Sequence, residues 1–241
     1  MSDKIFKAKL VNDISIEVIS KSIIKEANEI GFQRNDYIKL ANIFLDSALN
    51  IELNKDQVKK VNVFSQKEKV KLPLSGENIL VREFNKKSDS IKLKEWLEDE
   101  TGRYFILTRA TSGVYNVDRL IEDDRHILGI ITLKDKTPIG LMAFLDCDKN
   151  QKKAELRKLI GEPAYRGKGY GKEATKLWIQ YGISNLGLHK IYLNTLQTNV
   201  RNIRLNEELG FLVEGILRDE CLIDGKYNDL LRMGLVISPQ E

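Results

Sequence analysis

The sequence predicts an α/β chain: a mixed, mostly antiparallel central sheet with flanking helices, preceded by a small, mainly helical N-terminal segment. Three observations predict it. Between His126 and Ile160 three apolar strand-like runs are joined by short polar turns, which is the pattern of an antiparallel meander. The third run passes through Gly161-Glu162-Pro163 and a glycine-rich turn straight into a good helix former, Lys172 to Tyr181. Between Ile16 and Ile51 the apolar residues recur with helical rather than strand spacing.

In chain order, Lys4 to about Val11 reads as a short strand. A first helix carries Ile16, Ile19, Ile23, Ala27 and Ile30 on one face and stops at Gly31-Phe32. A second starts at the cap pair Asn35-Asp36 and carries Tyr37, Leu40, Ala41, Phe44, Ala48 and Ile51. A lysine-rich stretch follows and closes at Pro73 and Ser75-Gly76, which places a domain boundary near residue 75: residues 1–75 and 76–241. The first segment is too small to hold a large core and is read as a packing, dimerisation or partner segment. Downstream, Ile79 to Phe84 reads as a strand, and Ser88-Asp89 as the cap of a helix with Ile91, Leu93, Trp96 and Leu97. Arg103 to Thr108 reads as a short strand, and His126 to Leu133, Ile139 to Leu145 and Ala154 to Ile160 as the meander. After the loop helix come a strand, His189 to Leu196, a helix, Asn199 to Leu209, and a hairpin-like pair, Val213 to Cys221 and Leu230 to Ile237.

Composition excludes several classes. A formal charge of +4, well dispersed, does not argue for nucleic acid but suits an anionic cofactor. Cys147 and Cys221 form no C-x-x-C and there is no pair of spaced histidines, so no metal is expected. No apolar run approaches the roughly 20 residues of a membrane span, and the first residues lack a signal-peptide core. The expectation is a cytoplasmic protein with reduced thiols and no membrane partner.

The chemistry concentrates at Arg166-Gly167-Lys168-Gly169-Tyr170-Gly171. In a strand–turn–helix of this kind, successive backbone N–H groups converge on an anion and the helix N-terminus adds partial positive charge. A P-loop reading fails because Arg166 stands where the first glycine belongs and Glu173 where the Mg²⁺-binding hydroxyl belongs. A dinucleotide fingerprint fails because Lys172 stands at the third glycine. The remaining pattern, R-x-x-G-x-G over Arg166, Gly169 and Gly171, resembles the acetyl-CoA pyrophosphate loop of the GNAT superfamily of N-acetyltransferases. Asn199 to Phe211 is similar to the segment that follows the fifth strand in that family. Glu214-Gly215 with Asp224-Gly225-Lys226-Tyr227, Asp229 and Met233 is similar to the closing hairpin of its ribosomal-protein-alanine, spermidine and amino-sugar branch.

The resemblance, over about residues 77–238, implies the GNAT fold, with two strands splayed apart to admit the cofactor. It implies acetyl-CoA as acyl donor, with its pyrophosphate on Arg166, Gly167, Lys168, Gly169, Tyr170 and Gly171, and Lys172 at the helix start. The strand end Leu159-Ile160-Gly161 would pair with the pantetheine amides, and Asn199 would lie near the pantetheine arm or cap its helix. An unpaired buried N–H is costly unless a ligand takes it, so a splay of this kind is itself a binding site.

An amine of pKa near 10.4 is only about one part in a thousand neutral near pH 7 to 7.5, so a base is expected to deprotonate the acceptor. By its spacing from Arg166, Glu155 resembles the strand glutamate that serves histone acetyltransferases as base. Arg157 shares its strand face and could pair with it. A backbone N–H near Leu159 to Gly161 is the natural oxyanion donor. Where many relatives carry a thiolate-protonating tyrosine this chain has Asn206, which could donate to the sulfur, and the general acid stays unassigned between it, Tyr170 and Tyr227. Glu98-Asp99-Glu100 and Glu122-Asp123-Asp124 suit a cationic acceptor or a solvated surface. The expected function is acetyl-CoA-dependent N-acetyl transfer to a primary amine (an amino sugar, a polyamine or a protein N-terminus) by direct attack on the thioester. The alternative is a non-catalytic acyl-CoA sensor whose N-terminal segment binds a partner. Expected partners are acetyl-CoA, a small amine or peptide amine, and a second copy of the chain in a homodimer.

Overall fold

A computed structural model describes residues 14–33, 36–37, 40–41, 43–44, 69–99, 102, 117–196 and 199–237. The expected strands at 4–11 and 103–108 lie outside these residues. The chain divides into two compact units, Met1–Lys59 and Lys60–Glu241. In the first, α1 (Ile14–Glu29) ends as its sequence requires. Gly31 adopts φ 83°, with Gly31 N–H donating to Asn28 and Phe32 N–H to Ala27, a Schellman closure. Tyr37 then packs edge-on against Phe32, and its hydroxyl donates to Asn28 Oδ1 at 2.6 Å.

The second unit begins earlier than the boundary expected at residue 75. Val70 exchanges hydrogen bonds with the Asn185 side chain, Val70 and Leu72 pack on the core, and Leu74 is buried in it. Leu74–Ser75 is the first strand of the sheet, β1. The remaining elements are β2 (Ile79–Glu83), α2 (Lys86–Glu98), α3 (Val117–Glu122), β3 (Ile127–Leu133), β4 (Pro138–Asp148), β5 (Lys153–Ile160), α4 (Tyr170–Leu186), β6 (Lys190–Leu196), α5 (Val200–Glu208), β7 (Leu212–Ile223) and β8 (Lys226–Val236). Among the described residues they form one eight-stranded sheet in the order β1-β2-β3-β4-β5-β6-β8-β7. Every neighbouring pair is antiparallel except β5 and β6, which run parallel.

Alternation along β4 explains why a single apolar run serves two cores. Leu141, Ala143 and Leu145 face Leu93, Trp96 and Leu97 of α2 and Leu120 of α3. Met142 and Phe144 face the other way, onto Trp178, Ile179 and Ile183 of α4. Trp178 stacks on Phe144 at 5.5 Å between ring centroids and on Tyr181 at 5.0 Å. Two expected boundaries shift for local reasons. Asn85, not Ser88, caps α2 by accepting from the Lys87 and Ser88 N–H groups, while Asp89 turns inward onto the Arg82 guanidinium. The closing hairpin turns on two residues, Asp224 and Gly225, both at positive φ, so β8 starts at Lys226 rather than Leu230. No described helix is long and apolar enough to cross a membrane.

Candidate active site

The parallel pairing of β5 with β6 covers only Lys153 with Lys190, Ala154 with Ile191 and Glu155 with Tyr192. Both strands continue beyond that point, to Ile160 and Leu196, and diverge. A cleft of about 650 Å³ opens between Leu156–Ile160 on one side and Leu193–Leu196 on the other, floored by Gly167, Gly169, Gly171 and the start of α5. The facing backbone edges there lack each other as ladder partners, which suits an extended ligand with amides of its own.

At the mouth, β5 turns through a 3₁₀ turn, Pro163–Tyr165, into α4. Gly169 is the N-cap of α4 in the left-handed region, φ 88°, a conformation that L side chains resist. Gly161 lies against the face of Trp96: a Cβ there would come within 2.2 Å of the indole. Trp96 Nε1 donates to Glu162 Oε1 at 3.0 Å, and Lys92 pairs with the same carboxylate at 2.7 Å, so α2 braces the turn.

Sequence-expected residues divide into three groups. Leu159, Ile160, Arg166, Gly167, Gly169, Gly171, Lys172 and Asn199 line the cleft. Asn199 also caps α5, its Oδ1 accepting from Asn202 N–H. Arg166 is committed to the turn itself: Nε donates to the Ile160 carbonyl, and Nη2 to the Gly161 carbonyl and Asp99 Oδ2. The second group flanks the cleft. Gly161 packs on Trp96, Lys168 stands over the Tyr165 ring at 5.2 Å, and Tyr170 packs beside Tyr165.

The third group is the expected catalytic pair, and the structure sets both one layer behind the wall. Glu155 Oε1 accepts from Arg157 Nη2 at 2.6 Å and from Asn194 Nδ2 at 3.1 Å; the cleft is lined by Arg157 and Asn194, not by the carboxylate. Glu155 is therefore not placed for direct proton transfer from an acceptor in the cleft. Nor is it the surface ion pair that strand position alone suggests, because it is 3% exposed. Asn206 is fully buried and its Oδ1 accepts from Lys158 Nζ at 2.7 Å. Its Nδ2 is buried with no partner among the described residues. Tyr227 is 69% exposed at the hairpin tip.

Sequence reasoning missed Lys158, Asn194 and Arg201, all of which line the cleft. For Lys158 a signal existed: it alternates with apolar Leu156 and Ile160 on one strand face. Burial pushes its pKa down to about 7. Arg201, at the first turn of α5, brings its guanidinium to within 3.6 Å of where a Cβ on Gly167 would lie. Among the described residues, the ionisable side chains lining the cleft are Arg157, Lys158, Arg166, Lys172 and Arg201, with no carboxylate. Lys172 and Arg201, the glycine turn and the α4 N-terminus together suit a polyanion such as a pyrophosphate.

Three carboxylates of the acidic runs hold cations, and Glu100 lies outside the described residues. Asp99 holds Arg166, Glu122 pairs with Lys86, and Asp123 pairs with Arg125. Asp123, His126 and Asp146 gather with potential ligand atoms within 4.8 Å of one another. His126 Nδ1 is bonded to the Leu120 carbonyl.

The family model of the acetyltransferase (GNAT) domain matches residues 78–212, more than half of the chain. The spermidine N(1)-acetyltransferase of Vibrio cholerae is 32% identical over 118 residues, which is 49% of this chain and 68% of that protein. The enzyme of the same name from Escherichia coli K12 is 36% identical over 99 residues, 41% of this chain and 53% of that one, so here the chain spans about half of its relative. A solved spermidine N-acetyltransferase structure from Vibrio cholerae superposes with a TM-score of 0.57 at 26% identity, over 66% of this chain and 93% of that one.

Proposed function

Because the chain belongs to the GNAT acetyltransferase family, we propose that it transfers the acetyl group of acetyl-CoA to a primary amine by direct attack on the thioester, with a polyamine as the first acceptor to test. The observation that carries this reading is the cleft between β5 and β6, whose ionisable lining among the described residues is basic. It matches an elongated ligand with phosphates at one end and amides along its length. The relatives named for spermidine support the acceptor class; amino sugars and protein N-termini are the other primary amines in view.

In this reading the cofactor phosphates lie on the N–H groups from Arg166 to Gly171, with Lys168, Lys172 and Arg201 supplying charge. The pantetheine amides bond to the open edge at Leu159, Ile160 and Gly161, and Asn199 borders them. A backbone N–H of the same edge meets the oxyanion. Glu155 acts through Arg157, holding that guanidinium in the wall; a water-relayed base role for Glu155 is the competing outcome of its substitution. A cytoplasmic site of action and self-association as a homodimer belong to the same reading. The exposed Leu212, Val213 and Ile216 along β7 support self-association.

The test is thiol release from acetyl-CoA in the presence of spermidine, an amino sugar and a peptide with a free N-terminus. Release with spermidine at the highest kcat/KM is expected. Tight acetyl-CoA binding with no release for any amine would point instead to an acyl-CoA sensor and remove the transferase reading.

A further inference from the structure

Acyl transfer from a thioester leaves a thiolate that must collect a proton, and the cleft wall offers few groups able to supply one. A guanidinium is not a proton donor near neutral pH in any protein, which sets aside the three arginines of the lining. Lys172 is committed to Glu208. Lys158 is different: it lies midway along the open part of β5, half-buried, with its Nζ bonded to the buried amide oxygen of Asn206. Asn206 is itself held rigidly. It sits inside α5, and its carbonyl accepts the Leu209 and Phe211 N–H groups that close the helix.

We propose that Lys158, positioned by Asn206, is the proton donor to the departing CoA sulfur. This rests on the transferase reading above. The acceptor nitrogen attacks the thioester carbon, the C–S bond breaks with its electron pair going to sulfur, and a Lys158 ammonium proton passes to sulfur to give the free thiol. The extra proton of the new amide nitrogen leaves to water, and the neutral Lys158 amine recovers one from solvent. Nothing beyond acetyl-CoA, amine and water is consumed.

An ordinary ammonium, with a pKa of 10.5, is a weaker acid than a thiol of pKa about 8.5, so the transfer would run uphill by a factor of about 100. Burial, the one cause of the Lys158 shift, brings the group to about 7 and reverses that direction, near the working pH that favours general-acid catalysis. Among the described residues, no carboxylate lines the cleft beside it to undo the effect. Its neighbour across the β4 ladder is Met142, and α5 presents the uncharged Asn206. The cations sharing the cleft are Arg157, Arg166, Lys172 and Arg201, of which the first three are matched by Glu155, Asp99 and Glu208.

The experiment compares wild type, Lys158→Met and Lys158→Arg for kcat and for acetyl-CoA Kd between about pH 6 and 9, with melting curves to confirm folding. Both variants should lose about 100-fold or more in kcat while Kd stays within about threefold, since a general acid contributes roughly 10²–10⁴. Wild-type kcat should fall as pH rises through about 7, and the variants should lack that limb. Wild-type kcat in Lys158→Arg, which keeps the charge but cannot release a proton, overturns the proposal. A wild-type limb that rises through the same range also overturns it, making Lys158 a base. Wild type that binds acetyl-CoA yet acetylates no amine fails at the transferase reading instead, and takes this assignment with it.

Discussion

Glu155 Oε1 accepts the Arg157 Nη2–H at 2.6 Å, with the two side chains 3% and 5% exposed, directly where β5 and β6 part. A buried charge left without its partner is expensive, of the order of 3–5 kcal/mol when one side of such a pair is removed. Glu155→Gln keeps an amide oxygen for Arg157 but removes the charge. The expected outcome is a lower Tm, by several degrees, with a higher KM for acetyl-CoA and kcat within about threefold of wild type. Thermal melts and steady-state kinetics check it. A large kcat loss at unchanged Tm and KM would assign Glu155 the water-relayed base role instead.

Lys158 and Asn206 couple stability to pH. The Lys158 pKa is about 7 in the folded protein and near 10.5 when unfolded. Between those values the unfolded chain binds a proton that the folded chain does not, so stability rises with pH across this window. Lys158→Met alone would strand the buried Asn206 amide. The double variant Lys158→Met/Asn206→Leu removes both polar partners. It should be more stable than wild type near pH 7, with the difference shrinking toward pH 10. Denaturant melts at pH 7, 8.5 and 10 measure this.

Gly161 touches the Trp96 indole so closely that Gly161→Ala must displace it; the added Cβ would lie 2.2 Å from the ring. Overpacking of this kind costs about 1–3 kcal/mol. Because Trp96 also holds Glu162, the turn into α4 should shift, raising the acetyl-CoA KM beyond what the lower Tm explains. A crystal structure or Trp fluorescence of the variant, beside its kinetics, tests the link.

Arg201 lines the cleft next to the glycine turn. Arg201→Ala should weaken acetyl-CoA binding several-fold and flatten its salt dependence, since exposed charge pairs are screened within about 10 Å at 0.1 M ionic strength. Calorimetric titrations at about 50 and 300 mM salt read both effects. Equal salt slopes for the two proteins would remove Arg201 from the anion site.

Local signals survived into the fold wherever short-range physics decides. The Gly31-Phe32 helix stop, the meander turns and the glycine loop need only neighbouring residues and backbone sterics. The loop residues that line the cleft could be named from the sequence because they are neighbouring positions of one glycine-rich turn. Boundaries set by distant partners were not legible. Asp89 looked like part of a helix cap, but Arg82 from β2 draws it inward, leaving Asn85 to cap. Leu74–Ser75 looked like linker, although Leu80 and Val81 pair with it.

By itself, the sequence determined the family, the order of strands and helices from β3 onward and the glycine turn into α4, because hydrophobic period and glycine placement act over a few residues. Only the tertiary structure decided which side chains face the cleft. Glu155 and Asn206 sit on the expected elements, yet the closing of β6 and α5 onto β5 leaves both behind the wall, each holding a cation in it. Lys158 owes its lowered pKa to that same closure, since desolvation is a property of the packed assembly and is written at no single position of the chain.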